Sequence, residues 1–235
     1  MKKYLVAVLL CSISLFGQQK TISIKYKTEL FEEDEEFQVE FVKKMHQEAI
    51  INSKLIRFNL LIQDKTAKFY DLPSMSTSDS NSKSFLLAML GFLGNIYTQK
   101  DSIYSENKLF GKNKLVQKQM ITDWKITNET KKIDNYLCYK ATTFYKVINP
   151  KGEFNHPVTA WFCPNLPYSF GPLGYGGLPG LILELQVRKS WFGVDKIDFD
   201  SKVTFSKEEI TKKEKITEEE LNTLIKKQTE AMFKD

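Results

Sequence analysis

The stretch from Pro164 to Gly180 places the tightest limits on how this chain can fold. Its 17 residues include four prolines and five glycines. Proline fixes φ and lacks a backbone donor, while glycine reaches backbone angles that other residues avoid, so this composition excludes a helix and most strand pairing. Loops of this length in compact domains are usually functional or disordered. Because the stretch also carries many apolar and aromatic residues, it predicts a packed loop.

Strand patterns flank this loop on both sides. Thr159 to Cys163 is short, apolar and aromatic, which is typical of the end of a strand. The residues from 181 to 188 alternate, which predicts a strand with Leu181, Leu183, Leu185 and Val187 on one face and Ile182, Glu184, Gln186 and Arg188 on the other. Pro179-Gly180 at the entry to that strand predicts a type II turn, in which Gly180 would need a positive φ.

The sequence GGLPGLILE, residues 176–184, resembles the motif that names the GLPGLI family of exported bacterial proteins. Upstream motifs agree with the family's order; they are Trp124, Glu129, Ile133, Tyr136, Cys138, Lys140-Ala141, Ala160-Trp161-Phe162 and Gly171-Pro172. The resemblance covers roughly residues 121–188, with Asn135 as a departure where the family tends to have glycine. It implies an export route and one GLPGLI-type domain over residues 18–235, but it implies no reaction.

The N-terminus has the pattern of a secretory signal peptide over residues 1–17. Lys2 and Lys3 precede an apolar run from 4 to 16, and polar residues follow Gly17. The run is too short to span a bilayer, which takes about 20 apolar residues. A lipoprotein anchor at Cys11 is disfavoured because Leu10 is bulky. We therefore expect a periplasmic or secreted protein with no transmembrane segment in the mature chain.

Charge, cysteine and histidine usage exclude several classes of site. The net charge is only +5 and the charges are mixed along the chain, so no nucleic-acid footprint is expected. Cys138 and Cys163 lie in predicted strands, either as a disulfide or as two buried thiols. His46 is expected to be solvated on a helix and His156 to lie in a loop. Since neither histidine has a second ligand at metal spacing, no metal or cofactor is predicted.

The order of the elements predicts an α+β fold that is mostly antiparallel β, with a large curved sheet packed against one or two helices. A first helix is predicted over residues 34–53 with Phe37, Phe41, Met45 and Ala49 as its apolar stripe. A second is predicted near the C-terminus, where Thr217 and Glu220 form a capping box.

Between these helices the sequence predicts mainly strands. Asn149-Pro150-Lys151-Gly152 predicts a turn that pairs residues 136–147 with residues 154–163. The polar stretch over residues 73–83 predicts a mobile loop. The apolar run over residues 85–96 is either a buried helical turn or an exposed flap.

No catalytic motif occurs, and the predicted site is therefore one for binding at the loop. The candidate contact residues are Trp161, Tyr168, Phe170, Tyr175, Leu178 and Glu184. Gly177, Pro179 and Gly180 are expected to be structural.

The leading hypothesis is an exported, non-enzymatic protein that binds an apolar or amphipathic ligand, or an envelope partner, through residues 164–180. The partner would be a lipid, a peptide or another envelope protein. The alternatives are an assembly protein without a ligand pocket, and an unrecognised hydrolase. A carrier should show a pocket at the loop, an assembly protein an exposed apolar patch, and an enzyme converging polar side chains.

Overall fold

A computed structural model of the chain describes residues 20–32, 39–73, 80–109, 112–149 and 152–232. The predicted signal peptide and Cys11, together with residues 33–38 and 74–79, lie outside the described residues. The strands are β1 (Thr21–Leu30), β2 (Arg57–Gln63), β3 (Thr66–Asp71), β4 (Ile96–Gln99), β5 (Ser102–Leu109), β6 (Lys112–Gln119), β7 (Lys125–Ile133), β8 (Tyr136–Asn149), β9 (Gly152–Cys163), β10 (Leu181–Val187), β11 (Ser190–Ser201) and β12 (Glu214–Thr217). The helices are α1 (Glu40–Ser53), α2 (Ser80–Met89), α3 (Glu208–Thr211) and α4 (Glu218–Met232), and one 3₁₀ turn spans Pro172–Gly174.

All twelve strands belong to one curved sheet. Its order is β12-β6-β5-β4-β3-β2-β1-β11-β10-β9-β8-β7, with every neighbouring pair antiparallel except β12 and β6. The predicted α+β, mostly antiparallel fold is confirmed. The predicted hairpin is also confirmed, since β8 pairs with β9 from Tyr139 opposite Phe162 to Val147 opposite Phe154 and on to the turn. Among the described residues, no helix is long and apolar enough to cross a membrane.

One face of the sheet, called here the inner face, carries the main core. Alternate residues of β1, among them Ile24 and Tyr26, are fully buried there. Phe58 of β2 stacks on Phe69 of β3 with ring centroids 4.9 Å apart. Phe92, which follows α2, packs edge-on against Phe58 at 4.9 Å. Such aromatic pairs add to the stabilisation that burial alone provides.

The apolar run over residues 85–96 forms part of this core. Leu86 and Leu90 are almost completely buried, and Leu93 is the one large apolar residue of this run that is largely exposed. The expectation of a buried helical turn is therefore confirmed, although α2 begins at Ser80, inside the stretch predicted to be a mobile loop.

Helix α1 turns only part of the predicted stripe to the core: Ala49 is buried as predicted, Phe41 is not, and Phe37 lies outside the described residues. Its buried residues are His46, Ala49 and Ser53, whereas Phe41 is 69% exposed. A strict four-residue spacing advances about 40° around a helix at each step, so a stripe begun at Phe41 winds away from the core. The expectation that His46 is solvated was wrong: its Nε2 lies 3.3 Å from Lys189 Nζ.

The opposite, outer face carries a second core over β2 to β6. Phe205 and Ile210, from the chain after β11, pack on Leu61 and Leu115. At its edge the Tyr97 hydroxyl lies 3.0 Å from Glu106 Oε1 and 2.8 Å from Glu209 Oε2. The Lys68 ammonium donates to Glu209 at 2.5 Å, and Lys213 pairs with Glu106.

This network holds the Glu209 carboxylate in its charged form. Burial acts to raise its pKa, but the hydrogen bonds from Lys68 and Tyr97 outweigh burial, and the pKa lies below its usual value. The segment between β11 and β12 is thus fastened to the sheet by apolar contacts and by charge.

Helix α4 begins with the predicted capping box. The Thr217 N–H donates to Glu220 Oε2 at 2.7 Å, and the Glu220 N–H donates to Thr217 Oγ1 at 3.1 Å. Because β12 ends at Thr217 beside β6, this cap places the first turn of α4 at one edge of the sheet.

Candidate groove at the proline- and glycine-rich loop

The loop over residues 164–180 lies on the inner face and is held by its own main chain. The N–H groups of Tyr168 and Phe170 donate to carbonyls two residues earlier. The N–H of Leu181 donates to Leu166 O at 2.9 Å, and that of Ile182 donates to Phe170 O at 3.0 Å. The loop is therefore an ordered part of the core, as its apolar composition predicted.

Gly180 is required for a different reason from the one predicted. Its φ is not positive, so the type II turn is wrong; instead its N–H donates to Leu178 O at 2.8 Å across Pro179. A Cβ at position 180 would lie 2.2 Å from the Cys163 carbonyl oxygen. Positive φ angles occur earlier in the loop instead, and the nearest is that of Gly177, at +77°.

The middle of the loop is fixed by Trp124, just before β7. Its indole Nε1–H donates to Gly176 O at 2.8 Å. Its ring meets Tyr175 edge-on, with centroids 6.1 Å apart. Burial, with a smaller contribution from Tyr145, raises the pKa of Tyr175 well above its usual value, so its hydroxyl stays neutral at physiological pH.

Leu173, in the 3₁₀ turn, has the most unusual backbone of the loop. Its φ of +55° lies in the left-handed region, which costs a residue with a side chain roughly 1–2 kcal/mol. The next residue, Gly174, lies so close to β5 that an added Cβ would be 2.9 Å from Ile103. Strained residues of this kind persist only where the surrounding structure holds them, and they cluster at functional sites.

A groove of about 720 Å³ opens beside this strained turn. We call it the central groove. It is lined by Ile103, Gln117, Lys118, Gln119, Ile121, Asp123, Phe144, Tyr145, Lys146, Leu173, Gly174, Tyr175, Thr217, Glu218 and Glu219. Strands near the two ends of the sheet order, β6 and β8, form opposite walls because the sheet curves round, and the loop lies between them.

The charged groups of the central groove differ in whether they have partners. Lys146 pairs with Glu153 at 2.6 Å, and Asp123 accepts a hydrogen bond from the Thr143 hydroxyl. In contrast, the side chains of Lys118, Glu218 and Glu219 make no hydrogen bond or ion pair with any described residue. The groove thus combines apolar walls with charges that a ligand could complement.

A smaller cavity of about 380 Å³ lies on the other side of the loop. Tyr168, Phe170 and Gly177 line it, with the β2–β3 turn at Asp64 and the β4–β5 turn at Lys100. Two of the predicted contact residues therefore face this second cavity, while Tyr175 faces the central groove. Leu178 faces neither, because it is 1% exposed within the core.

Trp161 and Glu184 lie on the outer face, away from the central groove. The β9–β10 register places them opposite each other, and Glu184 is opposite Gly193 in β11. Glu184 Oε2 accepts from Lys131 at 2.5 Å and from Trp191 Nε1 at 3.4 Å. The Lys131 ammonium lies 4.4 Å from the Trp161 ring centroid. We call these four side chains the outer cluster.

A bulge explains why β10 departs from simple alternation. The pairing with β9 shifts between Ile182 and Glu184, and both Ile182 and Leu183 are fully buried. The prediction that Ile182 lies on a polar face was wrong, because the loop covers it: a Cβ on Gly171 would lie 2.7 Å from the Ile182 Cβ.

Cys138 and Cys163 are both buried and are not bonded to each other in this structure; the disulfide stays a prediction. Burial, followed by the neighbouring Cys163 and Glu184, raises the pKa of Cys138 to about 12. His156 is in strand β9 opposite Tyr145, not in a loop. The described residues contain no group of three or more acidic, histidine or cysteine side chains placed to hold a metal ion.

Sequence reasoning did not single out the residues that complete the central groove. Lys118, Tyr145 and Glu218 are far apart in the chain and carry no local motif. The positive φ of Leu173 has no sequence signal either, since leucine rarely adopts it. A capping box directly after a short strand marked the position of Glu218 but not its place beside the loop.

Comparisons with known proteins give a fold relative but no activity. A family model described as a protein of unknown function (Porph_ging) matches residues 148–184, from the β8–β9 turn through the loop to β10. No curated protein matches the chain.

Solved structures of PNGF-II resemble the chain at low sequence identity. In one crystal form the identity is 12% and the TM-score 0.54, and the match covers 88% of this chain and 33% of PNGF-II. In a second form the identity is 13% and the TM-score 0.49, over 85% and 31% of the two chains. The chain thus spans about a third of PNGF-II, and the first likeness describes a shared fold alone.

Proposed function

We propose that this protein is an exported binding protein that holds an amphipathic ligand in the central groove. The observation that carries the proposal is the groove itself, about 720 Å³ in volume, within the range of ligand pockets in proteins. Apolar side chains such as Leu173 and Tyr175 lie in it together with Lys118 and Glu218. A ligand with both apolar and charged parts would satisfy both kinds of wall.

The rigidity of the loop supports the same proposal. A binding wall that is ordered before the ligand arrives avoids the entropy cost of ordering it on binding. Tyr175 is fixed from behind by Trp124, and Leu173 is held in a strained conformation. The export part of the proposal rests on the N-terminal sequence and on the resemblance to the GLPGLI family.

Removal of the Leu173 side chain tests the proposal directly. Leu173→Gly removes a groove-lining side chain and relieves the positive-φ strain, because glycine adopts φ +55° readily. Arg188→Gly is the matched control, since Arg188 has φ +53° in the β10–β11 turn outside the groove.

Native mass spectrometry of the protein purified gently from its own host would detect the ligand as a discrete added mass. Binding of the dye 1-anilinonaphthalene-8-sulfonate gives a second readout. In Leu173→Gly we expect at least a tenfold fall in the fraction of molecules that carry the added mass and in the affinity for the dye. Both quantities should be unchanged in Arg188→Gly. A bare mass and no dye binding in the unaltered protein would overturn the proposal.

A further inference from the structure

Strands β8 and β9 extend beyond both of their neighbours. Pairing of β7 with β8 ends at Thr142, and pairing of β10 with β9 ends at Val158. From Phe144 opposite Pro157 to Asn149 opposite Gly152, the two strands pair with each other and with no other strand of the described residues. This two-stranded arm is about 20 Å long at the usual rise per residue.

The arm is unusually apolar for a structure of two strands. Phe144 is 63% exposed, Phe154 41% and Tyr145 39%. An isolated two-stranded hairpin is marginally stable in water, and a free strand edge is a template for pairing with another chain. The arm therefore has both the shape and the side chains of a surface that gains from a third strand.

The two edges of the arm are not equivalent. The β9 edge contains Pro157, which has no N–H to offer to a new strand. The β8 edge has no proline between Phe144 and Asn149, and it faces the central groove, which Phe144, Tyr145 and Lys146 line. The linker before β7 contacts β8 at Thr143, whose hydroxyl donates a hydrogen bond to Asp123.

The opposite wall of the groove also suits a peptide backbone. Strand β12 covers the outer edge of β6 only from Lys114 to Gln117. Beyond that point Lys118 and Gln119 line the groove, and the Gln117 and Gln119 amides can both donate and accept hydrogen bonds. An extended peptide lying between β8 and β6 would thus have main-chain partners on one side and side-chain amides on the other.

Charge complementarity selects the kind of peptide. Within the groove Lys146 and Asp123 are satisfied by Glu153 and Thr143. The charges without a described partner are those of Glu218, Glu219 and Lys118, so the uncompensated charge is net negative. Basic side chains on the ligand would complement it.

We propose that the occupant of the central groove is an extended, basic peptide segment that adds as a strand to the free edge of β8 from Phe144 to Val147. The proposal rests on the proposed function and names its ligand class. Affinity would come from main-chain hydrogen bonds, and selectivity from alternate side chains that meet Leu173 and Tyr175 on one side. The two carboxylates at the start of α4 would receive the basic residues.

The test uses a labelled 12-residue peptide of alternating valine and lysine, and the full mature protein. Fluorescence anisotropy measures its affinity beside that of two comparison peptides, one with alternate amides N-methylated and one with glutamate in place of lysine. N-methylation removes the donors needed for strand addition and keeps the side chains. We expect both comparison peptides to bind at least tenfold more weakly.

Protein variants and hydrogen exchange locate the bound peptide. Glu218→Gln with Glu219→Gln should weaken binding several-fold, whereas Glu208→Gln, in α3, should leave it unchanged. Amide exchange between residues 144 and 147 should slow at least tenfold when the peptide is bound. Equal binding of the N-methylated peptide, or unchanged exchange in this segment, would overturn strand addition.

The two proposals fail in distinguishable ways. If the purified protein carries an added mass that Leu173→Gly removes, but the valine–lysine peptide does not bind, the groove binds another amphiphile and the peptide assignment is wrong. If the purified protein carries no added mass and binds neither the dye nor the peptide, both proposals are wrong. Peptide binding that Leu173→Gly abolishes and Arg188→Gly preserves would support both.

Discussion

Aromatic side chains in and beside the loop over residues 164–180 lie in different surroundings on the two faces of the sheet. On the inner face, Tyr175 forms one wall of an open groove beside Lys118 and Glu218, which have no described partner. On the outer face, Trp161 and Trp191 lie beside charges that are already paired, with Glu184 and Lys131 between them.

This difference separates a surface that can gain from a ligand from one that is already satisfied. Displacing the partner of a buried or half-buried charge costs free energy, because the remaining charge is left uncompensated. A charged side chain without a partner in a groove has no protein contact that a ligand must displace. Aromatic residues close together in sequence therefore mark a binding site only when the polar groups around them are uncommitted.

The largest expected effect tests whether the inner-face loop is as rigid as its contacts indicate. Gly180→Ala would force a Cβ to within 2.2 Å of the Cys163 carbonyl oxygen. We expect a loss of about 3 kcal/mol or more in the free energy of unfolding, because backbone must move. Urea denaturation measures it.

Gly177→Ala is the control, since it lies in the same loop with no added contact closer than 3.4 Å. Its positive φ should cost only about 1–2 kcal/mol. Equal losses for the two variants would mean that the loop yields readily and is not a preformed wall.

A medium effect is expected in the outer cluster. Glu184→Gln removes the charge that accepts hydrogen bonds from Lys131 and Trp191, and the Glu184 side chain is only 19% exposed. We expect a loss of about 1–2 kcal/mol in stability and unchanged dye and peptide binding. Chemical denaturation and anisotropy measure the two quantities.

Glu129→Gln serves as the reference for an exposed pair. Glu129 bonds Lys140 but is 59% exposed, so its loss should cost no more than about 0.5 kcal/mol. If Glu184→Gln instead left stability intact and lowered ligand affinity tenfold, the outer face would be the ligand surface and the contrast between the two faces would be reversed.

The smallest effect concerns the thiol beside the outer cluster. Because the pKa of Cys138 is raised to about 12 in the folded protein, the unfolded chain releases this proton first as pH rises above about 9. The free energy of unfolding should therefore fall with pH in that window. Cys138→Ala should reduce this fall by on the order of 1 kcal/mol between pH 8 and pH 10.

The redox state of the thiols decides whether that pH effect exists. Mass spectrometry after alkylation without reductant distinguishes two thiols from a disulfide with Cys163. A stability curve with the same slope in Cys138→Ala and the unaltered protein would show that Cys138 does not titrate, as expected for the disulfide form.

More of the fold than of the candidate site could be predicted from the sequence. Alternation, turn residues and a capping box are local signals, and they gave the β8–β9 hairpin and the start of α4 correctly. The central groove depends on β6 and β8 coming together through the curvature of the sheet, which has no local signal. The bulge at Leu183 and the winding of the α1 stripe likewise depend on packing against other elements.

The candidate residues illustrate the same limit. Nothing in the sequence distinguishes the aromatic residues Tyr175, Tyr168 and Trp161 from one another. In the structure Tyr175 lines the central groove, Tyr168 lines the smaller cavity, and Trp161 belongs to the outer cluster. Strand parity could have separated Trp161 from its buried neighbour Phe162, but it could not show what faces either side chain.

The position of β1 has a consequence for the order in which the chain can acquire its structure. This first strand lies in the middle of the sheet, between β2 and β11, and is the seam between the β2–β6 and β7–β11 halves. During synthesis from the N-terminus, β1 can pair with β2 early, but its pairing with β11 must wait until residues 190–201 have been made. Contacts this distant in sequence slow folding, and until β11 arrives β1 has no partner on that side.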